Sequence, residues 1–143
     1  EPDIDACMAG IEIADPTFEK RDYEHVAPRG ILSIADNGSN RGAVFGAPIT
    51  DWHELDIPSL TGRIIKDGSE LLSGAASDLM GHPFEVAAWL ANRLNEDGKH
   101  LREGEHVLLG LIGGIKGAEL GLGSGDEIVI RWDELGEARV KIN

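Results

Sequence analysis

The residues able to do chemistry are few, and most are carboxylates. Glu12 stands between Ile11 and Ile13, an alternation typical of a short strand, with the charge on the polar face. A carboxylate in that place offers oxygen atoms to a hard divalent cation, and it is equally what a half-buried strand shows to water. Asp36, Asn37 and Ser39 fall in the run DNGSNRG at 36–42, residue types that build an Asx or Ser turn and carry polar groups suited to holding ligand oxygens. Glu103-Gly104-Glu105 is formally a carboxylate pair, but it sits in a turn. His82 precedes Pro83, where a turn or helix cap is expected, and Arg63 and Lys66 flank a hairpin as solvated charges. No Ser/His/Asp, Cys/His or phosphate-loop pattern is present, so nucleophilic catalysis and nucleotide hydrolysis lack support.

Bulk composition narrows the partners. The 143 residues suffice for one domain with a core, and 41% hydrophobic content excludes a disordered polymer. A formal net charge of -13 leaves no basic stripe for nucleic acid and repels an anionic membrane surface. An anionic substrate would therefore need a local cation, for which a bound metal ion is the obvious candidate. One cysteine, Cys7, rules out an intrachain disulfide. No apolar run approaches a membrane span and no signal-peptide pattern opens the chain, so a cytoplasmic domain is expected.

Several elements must position these residues. Residues 1–15 hold a short strand around Ile11 and Ile13 that Pro16 ends, and 16–30 read as a polar loop with room for one helical turn. Residues 31–35 form an apolar segment before the turn, and 43–46 a strand. Residues 60–73 read as a hairpin around Asp67-Gly68, a pair suited to the positive φ angles of a type I′ turn. Val86, Leu90 and Leu94 recur at helical spacing after Pro83, predicting a helix to about residue 96 that Gly98 ends, with Trp89 and Leu90 in the core. Residues 106–112 read as a buried strand, and 127–132 and 137–142 as two more around Gly136. Gly42 and Gly46 suit close backbone approach or strand geometry. The tally is α+β, mainly β, with one main helix and one domain over 1–143, and not a βαβ nucleotide-binding array.

Taken together in order, three stretches and the chain's end resemble the 2-keto-4-pentenoate hydratase and oxalocrotonate decarboxylase type of the fumarylacetoacetate hydrolase superfamily, in its C-terminal half. They are AGIEIAD (9–15), IADNGSNRGAVFGAP (34–48), the block from DGSELLSG to HVLLG (67–110), and SGDEIVIRW…LGEARVKI. The resemblance implies a mixed β-roll fold and a cytoplasmic homo-oligomer in aromatic-compound catabolism. It implies that Glu12 is one of three carboxylates binding Mg²⁺ or Mn²⁺, the other two lying upstream of residue 1. It implies that Asp36, Asn37 and Ser39 line the substrate pocket, and that the loop after Leu109, beginning at Gly110, offers backbone N–H groups to a carboxylate. The implied activity is hydration of a 2-hydroxy-2,4-dienoate to a 4-hydroxy-2-keto acid. The alternatives are decarboxylation of a 2-oxo acid, or a non-catalytic half that needs a complementary N-terminal chain. The chain departs from the pattern at Asp15-Pro16-Thr17, where the family has Asp/Gly-Ser-Arg, at Leu109-Gly110, where it has Leu-Thr-Gly, and at Glu105, where Asp is usual.

Overall fold

The computed structural model describes residues 3–17, 29–110, 112–113 and 120–143. In chain order these form β1 (Gly10–Ala14), α1 (Arg29–Ala35), β2 (Asn40–Phe45), β3 (Thr61–Lys66), β4 (Ser69–Ala75), α2 (Pro83–Glu96), β5 (Glu127–Trp132) and β6 (Gly136–Lys141), with short 3₁₀ turns between. The protein is a mainly-β α+β fold with one main helix, as the sequence implies. Most of the loop read at 16–30, and Leu111 and Gly114 of the later loop, lie outside the described residues.

Two antiparallel assemblies carry the fold. β1 and β2 make a two-stranded ribbon, and β4-β3-β5-β6 make a sheet in that order. The β3–β4 hairpin turns at Asp67-Gly68 with φ of 48° and 81°, the pair of positive angles that the type I′ turn requires. The Asp67 carboxylate accepts from the Glu127 N–H at 2.9 Å, which fastens the turn to the start of β5. Gly136 (φ 76°) and Glu134 (φ 62°) make the tight return into β6. β6 is an edge strand, and Arg131, Glu137, Arg139 and Glu127 form ion pairs across its solvent face.

The ribbon packs onto the sheet through alternate apolar residues. Ala9, Ile11 and Ala138 form one buried cluster, with Ile13, Val44, Ile130, Trp132 and Val140 against it. Ile57, Leu60, Ala76 and Leu135 form a second, which Phe84 of α2 and Trp132 also reach. Trp132 thus joins the two. Gly46 sits where the ribbon meets β6, and a Cβ there would lie 2.4 Å from the Glu137 carbonyl oxygen. Only glycine allows that approach, whereas at Gly42 an added Cβ would meet nothing within 4 Å, so the close approach expected there is absent.

Three expectations change. Residues 31–35 belong to helix α1. The run 106–112 is not a strand in its described part. It is an irregular arm without ladder pairing, with Val107 and Leu109 half-buried. Trp89 is not in the core. It is 57% exposed, because the packed stripe of α2 runs through Pro83, Ala87 and the half-buried Val86, Leu90 and Leu94, one position away. α2 itself keeps its expected bounds, and Gly98 closes it with φ 70° and an N–H bond to the Asn95 carbonyl at 3.0 Å.

Candidate functional site

Strand alternation sets Glu12. Ile11 is 8% exposed and faces the core, so Glu12 projects from the opposite face of the ribbon, paired across the ladder with Ala43. The register then slips between Ile13 and Ala14, so that Ala14 faces Asn40 and Arg41 becomes an extra residue in β2. Such a bulge re-aims the side chains beside it. Here it brings Asn40 to Glu12, and the Asn40 amide donates to Glu12 Oε1 at 2.8 Å.

Around this pair lies an open cleft of about 450 Å³, walled by Glu12, Asn40, Gly42, Ala43, Phe45, His106 and Leu108. Its size suits a small ligand. The arm carrying His106 and Leu108 lies close over the ribbon. A Cβ on Gly10 would fall 2.5 Å from Leu108 Cδ2, so the missing side chain makes room for that leucine. The His106 ring lies 4.6 Å from the Phe45 ring, tilted by 32°. One end of the cleft is therefore acidic and hydrogen-bonding, and the other is aromatic and aliphatic.

The 36–39 turn is held from within. Asp36 is buried at 4% exposure, and its carboxylate accepts from the Thr17 N–H at 3.2 Å, from the Thr17 hydroxyl, from the Ser39 hydroxyl at 2.7 Å and from the Arg41 guanidinium at 3.2 Å. Asn37, Gly38 and Ser39 all take positive φ (51°, 65° and 63°), a costly conformation for the two non-glycine residues that this network sustains. The Asp15 N–H bonds the Ser39 carbonyl at 2.8 Å, tying the turn to the end of β1. Asn37 is exposed. Asp36, Asn37 and Ser39 adjoin the cleft through Asn40 but are not among the residues that wall it.

The other candidates have local partners. His82 is the N-cap of α2, its Nδ1 accepting from the Phe84 N–H at 3.1 Å. Lys66 pairs with Asp126 at 2.7 Å, and Arg63 pairs with Asp133 and, at 3.7 Å, with Glu70. The bond to Asp133 raises the Arg63 pKa further. Glu105 accepts from the Arg102 N–H at 2.9 Å inside its own turn. Gly110 (φ 153°) packs against Leu79, where a Cβ would sit 2.5 Å from Leu79 Cδ2. Partial burial raises the Cys7 thiol pKa, which favours its inert form. Among the described residues, no three His, Cys, Asp or Glu side chains gather into a metal-binding group. Glu12 has the donor chemistry of one ligand to a hard cation, which takes several oxygens.

The chain is similar to enzymes of one kind. The 4-oxalocrotonate decarboxylase of Pseudomonas putida is 30% identical over 136 residues, covering 94% of this chain and 50% of that protein. The 2-keto-4-pentenoate hydratase of Burkholderia vietnamiensis is 32% identical over 106 residues, 74% of this chain and 38% of that protein. A solved structure of 4-oxalocrotonate decarboxylase from Pseudomonas putida G7, complexed with magnesium and adipate, matches 95% of this chain and 48% of its own at a TM-score of 0.75 and 25% identity. This chain belongs to the hydratase and decarboxylase family. No family model matches it. It spans about half the length of the curated relatives it matches. A second structure of the Pseudomonas putida G7 enzyme is complexed with calcium and acetate, so divalent metals occur in these neighbours. No helix among the described residues of this family member is long and apolar enough to cross a membrane.

Glu12, a candidate from the sequence, walls the cleft, and the sequence did not single out its neighbours Asn40, Phe45 and His106. Asn40, Phe45 and His106 carry no motif of their own. The bulge that brings Asn40 to Glu12 shows only in the register of the β1–β2 ladder.

Proposed function

We propose that this chain forms part of a divalent-metal-dependent lyase acting on a small 2-oxo or 2-hydroxydienoate carboxylate, with Glu12 as one metal ligand and Mg²⁺ or Mn²⁺ as the metal. The observation that carries this reading is the outward-facing Glu12 carboxylate, held by Asn40 at the polar end of a small-ligand cleft. The relatives supply the chemical class. A bound divalent cation would supply a Lewis acid for the charge that develops on a 2-oxo acid substrate, and positive field in a protein of net charge -13. The remaining ligands are assigned to residues beyond those described, in this chain or in a complementary one.

The chain's own residues bind and orient. The Asp36 network holds the 36–39 turn, leaving the exposed Asn37 amide and the turn's peptide groups to meet substrate oxygens. Asp36 and Ser39 serve that contact by shaping the turn. Gly110 is assigned a peptide contact, in keeping with its lack of room for a side chain. Phe45, Leu108 and the His106 ring offer an apolar wall to the substrate's carbon skeleton.

Hydration and decarboxylation share this arrangement. The longer match, 94% of the chain, is to a decarboxylase, which supports loss of CO₂ from a dicarboxylic 2-oxo acid. The hydratase match supports addition of water to a 2-hydroxy-2,4-dienoate. The test is an assay of the purified protein with Mg²⁺ on both substrates, following dienoate absorbance and CO₂ release. Metal-dependent turnover of either substrate, abolished by Glu12→Gln, is the expected result. Absence of turnover, unrelieved by a supplied N-terminal partner, would leave the non-catalytic reading. Turnover whose metal dependence survives Glu12→Gln would remove Glu12 from the metal site.

A further inference from the structure

We infer that Asn40 is the positioning residue for Glu12, holding its carboxylate in one orientation for cation binding; this rests on the metal-ligand reading above. The amide donates to Oε1 at 2.8 Å across 28 residues of sequence. A carboxylate offers about four lone-pair sites on two oxygens, so one neutral N–H fixes the group while leaving Oε2 and further lone pairs for a ligand. A neutral donor does this without offsetting the negative charge that attracts a cation, which a lysine or arginine in the same place would do.

The chain on both sides of Asn40 is anchored. Arg41 is the extra residue of the bulge, and its guanidinium is bonded to the buried Asp36 carboxylate at 3.2 Å. Asp36 also holds Ser39, the residue before Asn40, at 2.7 Å. Both chain neighbours of Asn40 are thus anchored to one buried group, and the bulge they define turns Asn40 toward Glu12. Outer partners of this kind orient a ligand that would otherwise sample several rotamers, and losing one weakens metal binding about 10-fold or more.

The experiment uses the full chain and two readouts besides activity. First, in metal-free protein, the Asn40 side-chain ¹⁵N–¹H signals move when Glu12 is changed to Gln, reporting the bond directly. Second, Mn²⁺ is titrated into wild type, Glu12→Gln, Asn40→Ala and Asn40→Ser. The expected result is a Kd raised about 10-fold in Asn40→Ala, less in Asn40→Ser, with an unchanged melting temperature. If Asn40→Ala proves too unstable to purify, Asn40→Ser carries the same reading through its retained short donor. A weakened Glu12→Gln beside an unaffected Asn40→Ala would overturn the positioning role alone. Unchanged Mn²⁺ binding in Glu12→Gln, or no binding by the wild type with the complementary N-terminal chain supplied, would overturn the metal reading and this inference together.

Discussion

The Arg41 guanidinium meets the Asp36 carboxylate at 3.2 Å, one end 39% exposed and the other 1% exposed. The asymmetry decides what each contributes. Asp36 is also bound by Thr17 and Ser39, so its removal takes away the shared acceptor of several half-buried bonds. Asp36→Ala should therefore cost about 1–3 kcal/mol. Arg41→Ala should cost about 1 kcal/mol or less, because its side chain is solvent-accessible and Asp36 keeps its other partners. Urea unfolding of both variants checks this. Equal losses would mean that the ion pair, and not the carboxylate's whole set of bonds, stabilises the turn.

Gly46 makes a sharper prediction about how the ribbon seats on the sheet. The atoms that an added Cβ would meet, 2.4 Å and 3.0 Å away, are the Glu137 carbonyl oxygen and carbon, and backbone cannot swing aside as a side-chain tip can. Gly46→Ala should cost about 3 kcal/mol or more, the upper range for overpacking. At Gly42 an added methyl would meet nothing within 4 Å, and Gly42→Ala should stay within about 0.5 kcal/mol of wild type. Thermal unfolding of the pair separates close approach from general strand preference for β-carbons. A mild Gly46→Ala would mean that β6 can retreat from the ribbon.

These glycines show which parts of the fold were legible. The Asp67-Gly68 hairpin, the Pro83 start and the Gly98 stop of α2 are local: each depends on the φ preferences of one or two residues, and sequence reports those directly. The 106–112 run has the composition of a buried strand, but a strand needs a partner, and the described residues of this run have none in the ladder. Trp89 looked like core on helical spacing, yet one position of rotation put it outside. The site divides in the same way. Glu12 follows from alternation, while its bond to Asn40 depends on a bulge between strands 28 residues apart, which no local pattern encodes.

Acid should weaken the sheet edge. Asp126 lies below the ordinary carboxylate range, chiefly through its bond from Lys66 and then the Gly123 N–H; Glu137 does so through Arg139 and then Arg131. In both, the folded state holds its proton less readily than the unfolded chain. The stabilisation is therefore fully present above the unfolded carboxylate pKa of about 4, and it is lost as pH falls through the lower folded values. The melting temperature should hold from neutral pH to about 5 and drop below about 4. Lys66→Met should flatten that drop, and high salt should do so too, because these pairs are solvent-accessible. A Lys66→Met profile parallel to wild type would assign the acid sensitivity elsewhere.

His82 separates a structural imidazole from a catalytic one. Its Nδ1 accepts the Phe84 N–H at 3.1 Å, satisfying one of the otherwise unpaired donors at the start of α2, next to Pro83 at the first helical position. Phe84 in turn meets Trp52 edge-on at 4.8 Å and packs on the second core cluster, so the cap also fixes how the helix enters the core. His82→Ala should cost about 1 kcal/mol, and His82→Asn should recover most of it, because an Asn side chain accepts the same bond. The turnover rate of His82→Asn should match wild type, whereas removing a general base typically lowers it about 10²–10⁴-fold. Parallel unfolding and rate measurements on the two variants give the answer: stability restored with a rate still down by orders of magnitude would make His82 a proton carrier and not a cap.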